Sequence, residues 1–225
     1  MLKRFLDIIV SLVLLILLFP VFVVIAVAVV LDSGFPVFYR GERIGRGGRP
    51  FRIIKFRSMY VSSAQGPAIT GRDDPRVTRV GKFLRKWKLD ELPQFYNVLK
   101  GEMSLVGPRP EAPQYVEFYS DDEKKVLSVR PGVTGVSQLL FRNEEEMLEG
   151  PDPERFYLDI LMRQKLCCDL AYIRNQSLVF DLVLILLTLV AVVFPREPGI
   201  KKFLLEKFLK TGVDMNFKNF SVSGG

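Results

Sequence analysis

A long apolar segment near the amino terminus is the feature that most constrains this chain. Lys3 and Arg4 precede an almost unbroken apolar run over residues 8–31, which only Ser11 and Pro20 interrupt. An ideal helix over this run is about 36 Å long, whereas the hydrocarbon core of a bilayer is about 30 Å thick. The segment therefore predicts contact with a membrane.

Three interpretations of this segment compete. A cleaved signal peptide would use a small-residue site such as Ala26-Val27-Ala28, but the apolar run is too long for one. A transmembrane helix has the right length, yet basic residues flank both ends, and the positive-inside rule favours both flanks in the cytoplasm. A re-entrant helix satisfies both flanks. Because Pro20 removes a backbone hydrogen bond and clashes with the carbonyl of Ile16, we expect a bend and favour re-entry.

The charge balance also favours a membrane-surface location. The 225-residue chain is 48% hydrophobic and carries a formal net charge of +7, a combination that favours an anionic membrane surface or phosphorylated ligands. Asp7 and Ser11 are expected near the membrane interface, where polar groups are tolerated. Nucleic acid is not an expected partner, because the sequence has no zinc-finger spacing, RNP pattern or basic helical stripe.

The chain contains no histidine and two adjacent cysteines, Cys167 and Cys168. The absence of histidine excludes Ser-His and Cys-His nucleophile pairs and histidine zinc sites, so catalysis near neutral pH would fall to carboxylates, lysine, tyrosine or a metal. Adjacent cysteines rarely form a structural disulfide, and these lack metal-ligand spacing. We expect buried, reduced cysteines and a cytoplasmic location for the polar part of the chain.

Short strands and helices are predicted after the apolar segment. Strands are expected over 36–40 and 51–57, with either a hairpin turn or a weak phosphate-binding loop of glycines and arginines between them. Residues 61–79 are expected to form a polar loop and residues 80–89 a helix. A second apolar segment over 178–194 is at the short limit for a span, so we expect it in the membrane interface or packed on the domain.

The predicted fold class is α/β and mostly helical, with short strands and interfacial amphipathic helices. Three parts are expected: a re-entrant membrane helix over 1–32, a small cytoplasmic catalytic domain over 33–195 and a basic amphipathic tail over 196–225. Two acidic runs, 121–123 and 144–146, are expected to be solvated helix starts or loops.

Two adjacent carboxylates, Asp90 and Glu91, stand among basic residues. Their basic neighbours in sequence are Arg85, Lys86, Lys88, Lys100 and Arg109. Acidic groups among basic ones are typical of a site for an anionic group and a divalent cation, but an Asp-Glu pair is also typical of a solvated turn with ordinary ion pairs. Neighbouring helical residues point about 100° apart, which favours separate roles for the two acids.

Several motifs occur in order along the chain, and together with Pro20 they resemble the bacterial sugar transferase family, the monotopic polyprenyl-phosphate phosphoglycosyl transferases. The resemblance covers residues 3–194. The motifs are Lys3-Arg4-x-x-Asp7-x-x-x-Ser11, Arg43-Ile44-Gly45, Lys55-Phe56-Arg57-Ser58-Met59, Leu89-Asp90-Glu91-Leu92-Pro93-Gln94, the run from Asn97 to Pro110, and Arg130-Pro131-Gly132-x-Thr134-Gly135.

The resemblance implies transfer of a phospho-sugar from a UDP-sugar to a polyprenyl phosphate such as undecaprenyl phosphate, with UMP as the second product. It implies that Asp90 is a nucleophile that forms a covalent phospho-sugar intermediate. Glu91, with Asp90 beside it, would bind Mg²⁺. The implied location is the cytoplasmic face of the bacterial inner membrane, in contact with membrane lipids.

Five further residues are candidates for substrate binding: Lys55, Arg57, Arg85, Arg109 and Asp169. Nearby cations would offset the repulsion between a carboxylate and an anionic phosphorus. Arg109 is the best candidate, because its Gly-Pro-Arg-Pro turn is rigid and an arginine can bind phosphate through two nitrogens. For each basic residue a surface ion pair is the alternative. A non-catalytic lipid-binding or scaffold protein is the alternative function, and the sequence leaves a homodimer open.

Overall fold

The computed structural model describes residues 1–61, 71, 74–148, 151–194 and 198–209. Within these ranges the chain is mostly helical, with a few short strands, as predicted. The elements are α1 Leu2–Leu17, α2 Phe19–Ser33, β1 Phe38–Ile44, β2 Pro50–Phe56, α3 Arg79–Lys86, α4 Gln94–Lys100, β3 Ser104–Val106, α5 Pro113–Val116, β4 Gly132–Thr134, α6 Val136–Leu140, α7 Glu144–Met147, α8 Pro153–Phe156, α9 Met162–Arg174, α10 Leu178–Val193 and α11 Pro198–Leu209.

The amino-terminal apolar segment forms two helices with a bend between them. α1 ends at Leu17, α2 begins at Phe19, and the two helix axes differ by 61°. Pro20 lies in the first turn of α2, where the missing N–H has no intrahelical partner to lose. The predicted bend is thus confirmed. Among the described helices, none alone is long and apolar enough to cross a membrane, whereas the bent pair passes that test by length and composition.

Asp7 and Ser11, which were predicted to lie near the membrane interface, are buried against the domain, and their depth relative to a membrane stays a prediction. The Ser104 hydroxyl donates to Asp7 Oδ2 at 2.8 Å, and the Leu105 N–H donates to Asp7 Oδ1 at 3.1 Å. A buried carboxylate needs such donors to offset its desolvation. The polar face of α1 is therefore the face that anchors this helix to β3.

Both ends of the bent pair are held by the same folded body. At its start, Arg4 donates to the carbonyls of Val98 and Leu99, at 2.6 and 3.0 Å, near the end of α4. At its end, Asp32 Oδ2 accepts from the Val80 N–H at 3.0 Å. The apolar residues between these anchors include many exposed side chains. The pair therefore leaves the domain and returns to it.

The predicted strands form an antiparallel hairpin in which Phe38 pairs with Phe56 and Ile44 with Pro50. A 3₁₀ turn over Arg46–Gly48 closes the hairpin, and Gly47 adopts a left-handed backbone conformation with φ of 69°. This geometry matches the hairpin-turn interpretation.

β3 and β4 form a second, parallel pair, with Ser104 opposite Gly132 and Val106 opposite Thr134. The two backbone segments approach closely just beyond the end of β3. A Cβ atom on Gly132 would lie 2.1 Å from the backbone nitrogen of Gly107. This contact explains why the Arg-Pro-Gly motif and the Gly-Pro-Arg-Pro motif, which are distant in sequence, lie side by side.

The main core is built by the carboxyl-terminal helices around α9. Tyr172 of α9, Leu184 of α10 and Leu204 of α11 are almost fully buried in it. α10 packs one face on the domain, as one of the two predicted alternatives states, and its opposite apolar face is exposed. The part of the predicted tail over 210–225 lies outside the described residues.

Three further predictions concern the cysteines, the polar loop and the helix that follows it. Cys168 is buried, as predicted, whereas Cys167 is only partly buried, and neither cysteine forms a disulfide within the described part of the chain. Residues 62–70 and 72–73 of the predicted loop lie outside the described residues. The helix predicted over 80–89 ends at Lys86.

Candidate active site

The acidic pair is positioned by a sharp change of backbone direction after α3. Lys88 adopts a left-handed conformation with φ of 56°, which costs a residue with a side chain about 1 kcal/mol. A 3₁₀ turn over Leu89–Glu91 follows, and Pro93 then leads into α4. Strained backbone of this kind is concentrated at functional sites. The turn over Leu89–Glu91 places the two carboxylates between α3 and α4.

Glu91 lies in a cluster of cations. Lys55 Nζ donates to Glu91 Oε1 at 2.8 Å, and Arg109 Nη2 lies 3.6 Å from the same oxygen. Desolvation raises the pKa of Glu91, but the charges of Lys55, Arg109 and Lys88 outweigh it and hold that pKa well below its usual range. Glu91 is therefore ionised at neutral pH and binds Lys55 and Arg109 together.

Asp90 has different surroundings. Its side chain is 7% exposed, and its Oδ1 atom has no hydrogen-bond partner within the described part of the chain. Desolvation raises the pKa of Asp90, and the nearby charge of Lys55 opposes that shift. A buried carboxylate oxygen without a donor costs free energy, so it is a group that needs an explanation. Binding to a cation or to an electrophile would supply one.

Arg109 is fixed by its backbone as well as by Glu91. Its N–H donates to Asp169 Oδ2, on α9, at 3.3 Å. Burial raises the pKa of Asp169 to about 7, while hydrogen bonds from Ser137 and Arg109 oppose that shift. Asp169 thus contacts the backbone of the turn that carries Arg109. It is a positioning residue for that turn.

This pKa predicts that stability depends on pH through Asp169. Between its ordinary value of 3.8 and about 7, the folded protein binds a proton at Asp169 that the unfolded chain does not, so the free energy of unfolding falls as pH rises through this window. Asp169→Asn cannot titrate and keeps an oxygen acceptor for Arg109. We expect its melting temperature, relative to the unsubstituted protein, to be several degrees higher at pH 8 than at pH 5.

Thermal unfolding in detergent micelles measures this difference. The matched control is Asp121→Asn, because the Asp121 side chain is fully exposed. A relative melting temperature of Asp169→Asn that stays constant from pH 5 to pH 8 would contradict the assignment.

The structure places the other two candidate arginines differently from Arg109. Arg57 is buried, and its Nη2 donates to the Ser33 and Gly34 carbonyls, at 2.9 and 2.6 Å, at the end of α2. Its remaining nitrogens, Nε and Nη1, lack partners among the described residues. Arg85 pairs with Glu145 at 2.5 Å, and its charge opposes the desolvation that raises the pKa of Asp90. Lys55, Arg85 and Arg109 thus lie around the acidic pair, whereas Arg57 binds the end of α2.

A family model described as bacterial sugar transferase matches residues 1–195, which is most of the chain. The chain belongs to the bacterial sugar transferase family. The resemblance found in the sequence motifs is thereby confirmed.

Curated relatives of this family member carry more specific names. A Klebsiella pneumoniae protein named UDP-glucose:undecaprenyl-phosphate glucose-1-phosphate transferase is 44% identical over 191 residues, covering 83% of this chain and 39% of the relative. A Caulobacter vibrioides protein of the same name is 40% identical over 192 residues, which cover 83% of this chain and 67% of the relative. An Aeromonas hydrophila protein is named UDP-N-acetylgalactosamine-undecaprenyl-phosphate N-acetylgalactosaminephosphotransferase. It is 39% identical over 191 residues, which cover 83% of this chain and 42% of the relative.

The matched region is only part of these relatives. The chain spans about two fifths of the length of the Klebsiella and Aeromonas relatives. Relatives at similar identity are named for different sugars, so the level of identity does not select one.

Sequence reasoning missed one part of the site of this sugar transferase. The acidic run 144–146 was predicted to be a solvated helix start or loop. Helix α7 does begin at Glu144, but Glu144 and Glu145 form ion pairs within the domain, so solvation is wrong for these two residues. Glu144 Oε2 accepts from Lys165 Nζ at 2.9 Å, and Glu145 pairs with Arg85. Lys165 is buried, and its charge is compensated there. A signal was present, because Lys165 lies four residues before Asp169 on one helix and so shares its face.

The acidic pair also fits the metal that the family implies. In the described ranges no group of three or more acidic or thiol side chains forms a metal cluster. Mg²⁺, however, is usually held by one or two carboxylates together with substrate phosphates and water. Asp90 and Glu91 supply two adjacent carboxylates, and Asp90 Oδ1 has no hydrogen-bond partner in the part of the chain that the structure describes. The chemistry of this donor set therefore matches Mg²⁺ bound together with a phosphorylated substrate.

Proposed function

We propose that this family member transfers a phospho-sugar from a UDP-sugar to undecaprenyl phosphate and releases UMP. The observation that carries the proposal is the buried oxygen of Asp90 that has no partner among the described residues and lies beside the Glu91, Lys55 and Arg109 cluster. The printed names of the relatives, which combine UDP-sugars with undecaprenyl phosphate, support this choice of substrates.

The proposed reaction has two displacement steps at one phosphorus atom. An Asp90 carboxylate oxygen attacks the phosphorus that bears the sugar, and the bond from this phosphorus to the bridging oxygen breaks. The electron pair leaves with that oxygen on UMP. An oxygen of undecaprenyl phosphate then attacks the same phosphorus and releases the Asp90 carboxylate. The products are undecaprenyl-diphospho-sugar and UMP, and no general base is needed because both nucleophiles are anions.

The cations around Asp90 address the main obstacle to this reaction. A carboxylate and a diphosphate repel each other, so positive charge must lie where they meet. Arg109 can bind two phosphate oxygens with its planar guanidinium, and Lys55 supplies a second charge. Asp90 and Glu91 would hold Mg²⁺, which supplies further charge stabilisation when bound. Glu91 keeps Lys55 and Arg109 close to Asp90.

The test of this function is UMP release. The full chain in detergent micelles is given undecaprenyl phosphate, Mg²⁺ and, in separate reactions, UDP-glucose, UDP-galactose and UDP-N-acetylgalactosamine. We expect UMP release with one of the donors and loss of release when EDTA removes the metal. Absence of release with every donor of a wider UDP-sugar panel would favour the scaffold alternative.

We also propose that the bent pair α1–α2 re-enters one leaflet at the cytoplasmic face of the bacterial inner membrane. Arg4 at one end and Asp32 at the other both bind the same domain. A single span would put these ends on opposite sides of a hydrocarbon core about 30 Å thick. The 61° bend and the basic flanks support a return to the same side.

Cysteine accessibility tests the orientation. In a background without Cys167 and Cys168, we expect Leu2→Cys and Phe35→Cys to react with a membrane-impermeant reagent from the same side of the membrane. Both side chains are exposed, at 61% and 76%. Asp121→Cys, on the domain surface, marks the side of the domain. Reaction of positions 2 and 35 from opposite sides would contradict re-entry.

A further inference from the structure

A second basic site lies at the far end of α4 from the acidic pair. A pocket of about 250 Å³ opens beside the start of α1. The charged and polar side chains that line it include Lys3, Arg4, Asp7, Arg46, Ser104 and Arg130. Asp90 and Glu91 precede α4, whereas Arg4 binds the carbonyls near the end of that helix. Because seven helical residues span about 10 Å, the pocket is separate from the acidic pair.

Three arginines of this pocket have backbone partners in place of acidic ones. Besides the carbonyl contacts of Arg4, Arg130 Nε donates to the Gly101 carbonyl at 2.8 Å and Arg46 Nε to the Ser128 carbonyl at 3.1 Å. Among the described residues, no carboxylate forms an ion pair with any of the three. The carbonyls fix the guanidinium groups without neutralising them.

The other charged side chains leave this positive charge largely in place. Lys3 is paired with Asp181 at 2.6 Å. Among the described residues that line the pocket, Asp7 is the one carboxylate; its Oδ2 accepts from the Ser104 hydroxyl and its Oδ1 from the Leu105 N–H. Desolvation, followed by the charges of Arg4 and Arg46, lowers the pKa of Arg130, which indicates that the arginines repel one another. An anion in the pocket would relieve that repulsion.

The surroundings of the pocket indicate which anion it takes. Leu2 and Phe5, on the first turn of α1, are both exposed, at 61% and 60%. The basic pocket therefore lies next to apolar side chains that face away from the protein. A phospholipid combines an anionic phosphate with apolar chains, so its chemistry matches both parts of this surface. A free phosphate would use the pocket alone.

We propose that Arg4, Arg46 and Arg130 bind the phosphate group of an anionic membrane lipid at a site distinct from the acidic pair. The proposal rests on the membrane association proposed above. The site holds a lipid that is not consumed, and it fixes the start of α1 at the level of the headgroups. Arg46 is exposed at the hairpin turn, so it is the member of the site that can be changed with least effect on the fold.

The test compares Arg46→Glu with Arg49→Glu. Arg49 is also exposed, lies three residues away in the same hairpin turn and does not line the pocket, so its replacement changes the net charge equally. Native mass spectrometry of the full chain, purified in a neutral detergent and mixed with phosphatidylglycerol, measures the bound lipid. We expect about tenfold weaker binding for Arg46→Glu and unchanged binding for Arg49→Glu, since one charge-assisted contact is lost. Phosphatidylcholine is expected to bind weakly to all three proteins.

Two outcomes would overturn the proposal. Equal losses in the two variants would assign the binding to diffuse surface charge. Competition by millimolar inorganic phosphate that removes the lipid completely would assign the pocket to free phosphate. UMP release, measured on the same samples, separates this proposal from the proposed function. If Arg46→Glu releases UMP at the unsubstituted rate but binds the lipid more weakly, the result supports two independent sites. If the unsubstituted protein binds the lipid but releases no UMP, the result contradicts only the proposed function.

Discussion

Replacement of Asp90 by asparagine is expected to reduce UMP release about a thousandfold or more. Asparagine has nearly the shape of aspartate, but its amide is not a nucleophile and cannot form the acyl phosphate. Among the described residues no hydrogen-bond donor reaches Oδ1 of this buried carboxylate, so loss of its charge should leave the fold intact. The measurement is the initial rate of UMP release with the donor and undecaprenyl phosphate.

A second readout isolates the first chemical step. With the UDP-sugar alone, the unsubstituted protein is expected to gain the mass of one phospho-sugar, and Asp90→Asn is expected to gain none. Asp121→Asn is the matched control, because this fully exposed aspartate lies on the domain surface, and it should behave as the unsubstituted protein. UMP release by Asp90→Asn at the unsubstituted rate would refute the nucleophile assignment.

Replacement of Arg109 by glutamine is expected to lower kcat/KM about a hundredfold, a loss typical of removing one preorganised charge from a transition state. The substitution removes the guanidinium 3.6 Å from Glu91 and the group best placed to bind the donor diphosphate. Arg109→Lys keeps the charge but loses the two-nitrogen geometry, so we expect an intermediate loss. Steady-state kinetics over a range of donor concentrations measure both variants.

Arg155→Gln is the control for this series. Arg155 also lies in an ion pair, with Asp159, but its side chain is 80% exposed. We expect its kinetics to be unchanged, since exposed ion pairs contribute little. Arg109→Gln with unchanged kcat/KM would remove Arg109 from the site and would leave Lys55 as the cation bound to Glu91.

Features with a local cause could be predicted from the sequence. Pro20 cannot continue the hydrogen bonding of α1 and instead lies in the first turn of α2, so the bend has its cause within one turn of helix. The hairpin follows from two short apolar strands joined by glycines. Asp90 and Glu91 were singled out because they are adjacent and lie among basic residues. Each of these signals is contained in fewer than about 25 consecutive residues.

Features that depend on distant contacts could not be predicted in this way. The burial of Asp7 could not be predicted because its partner Ser104 lies 97 residues away. Glu144 was expected in solvent because its buried partner Lys165 lies 21 residues away in sequence. Arg57 shares a strand face with Lys55 by period, but it binds the end of α2, a contact that depends on where the bent pair returns.

The short helix α4 connects the acidic turn to the start of α1. The acidic turn lies at its start, and near its end the carbonyls of Val98 and Leu99 hold Arg4 of α1. Because this helix is about 10 Å long, it links the depth of the proposed nucleophile in the membrane interface to the position of α1. In the proposed orientation, depth is thus set by the protein, and the lipid acceptor must bring its phosphate to that depth.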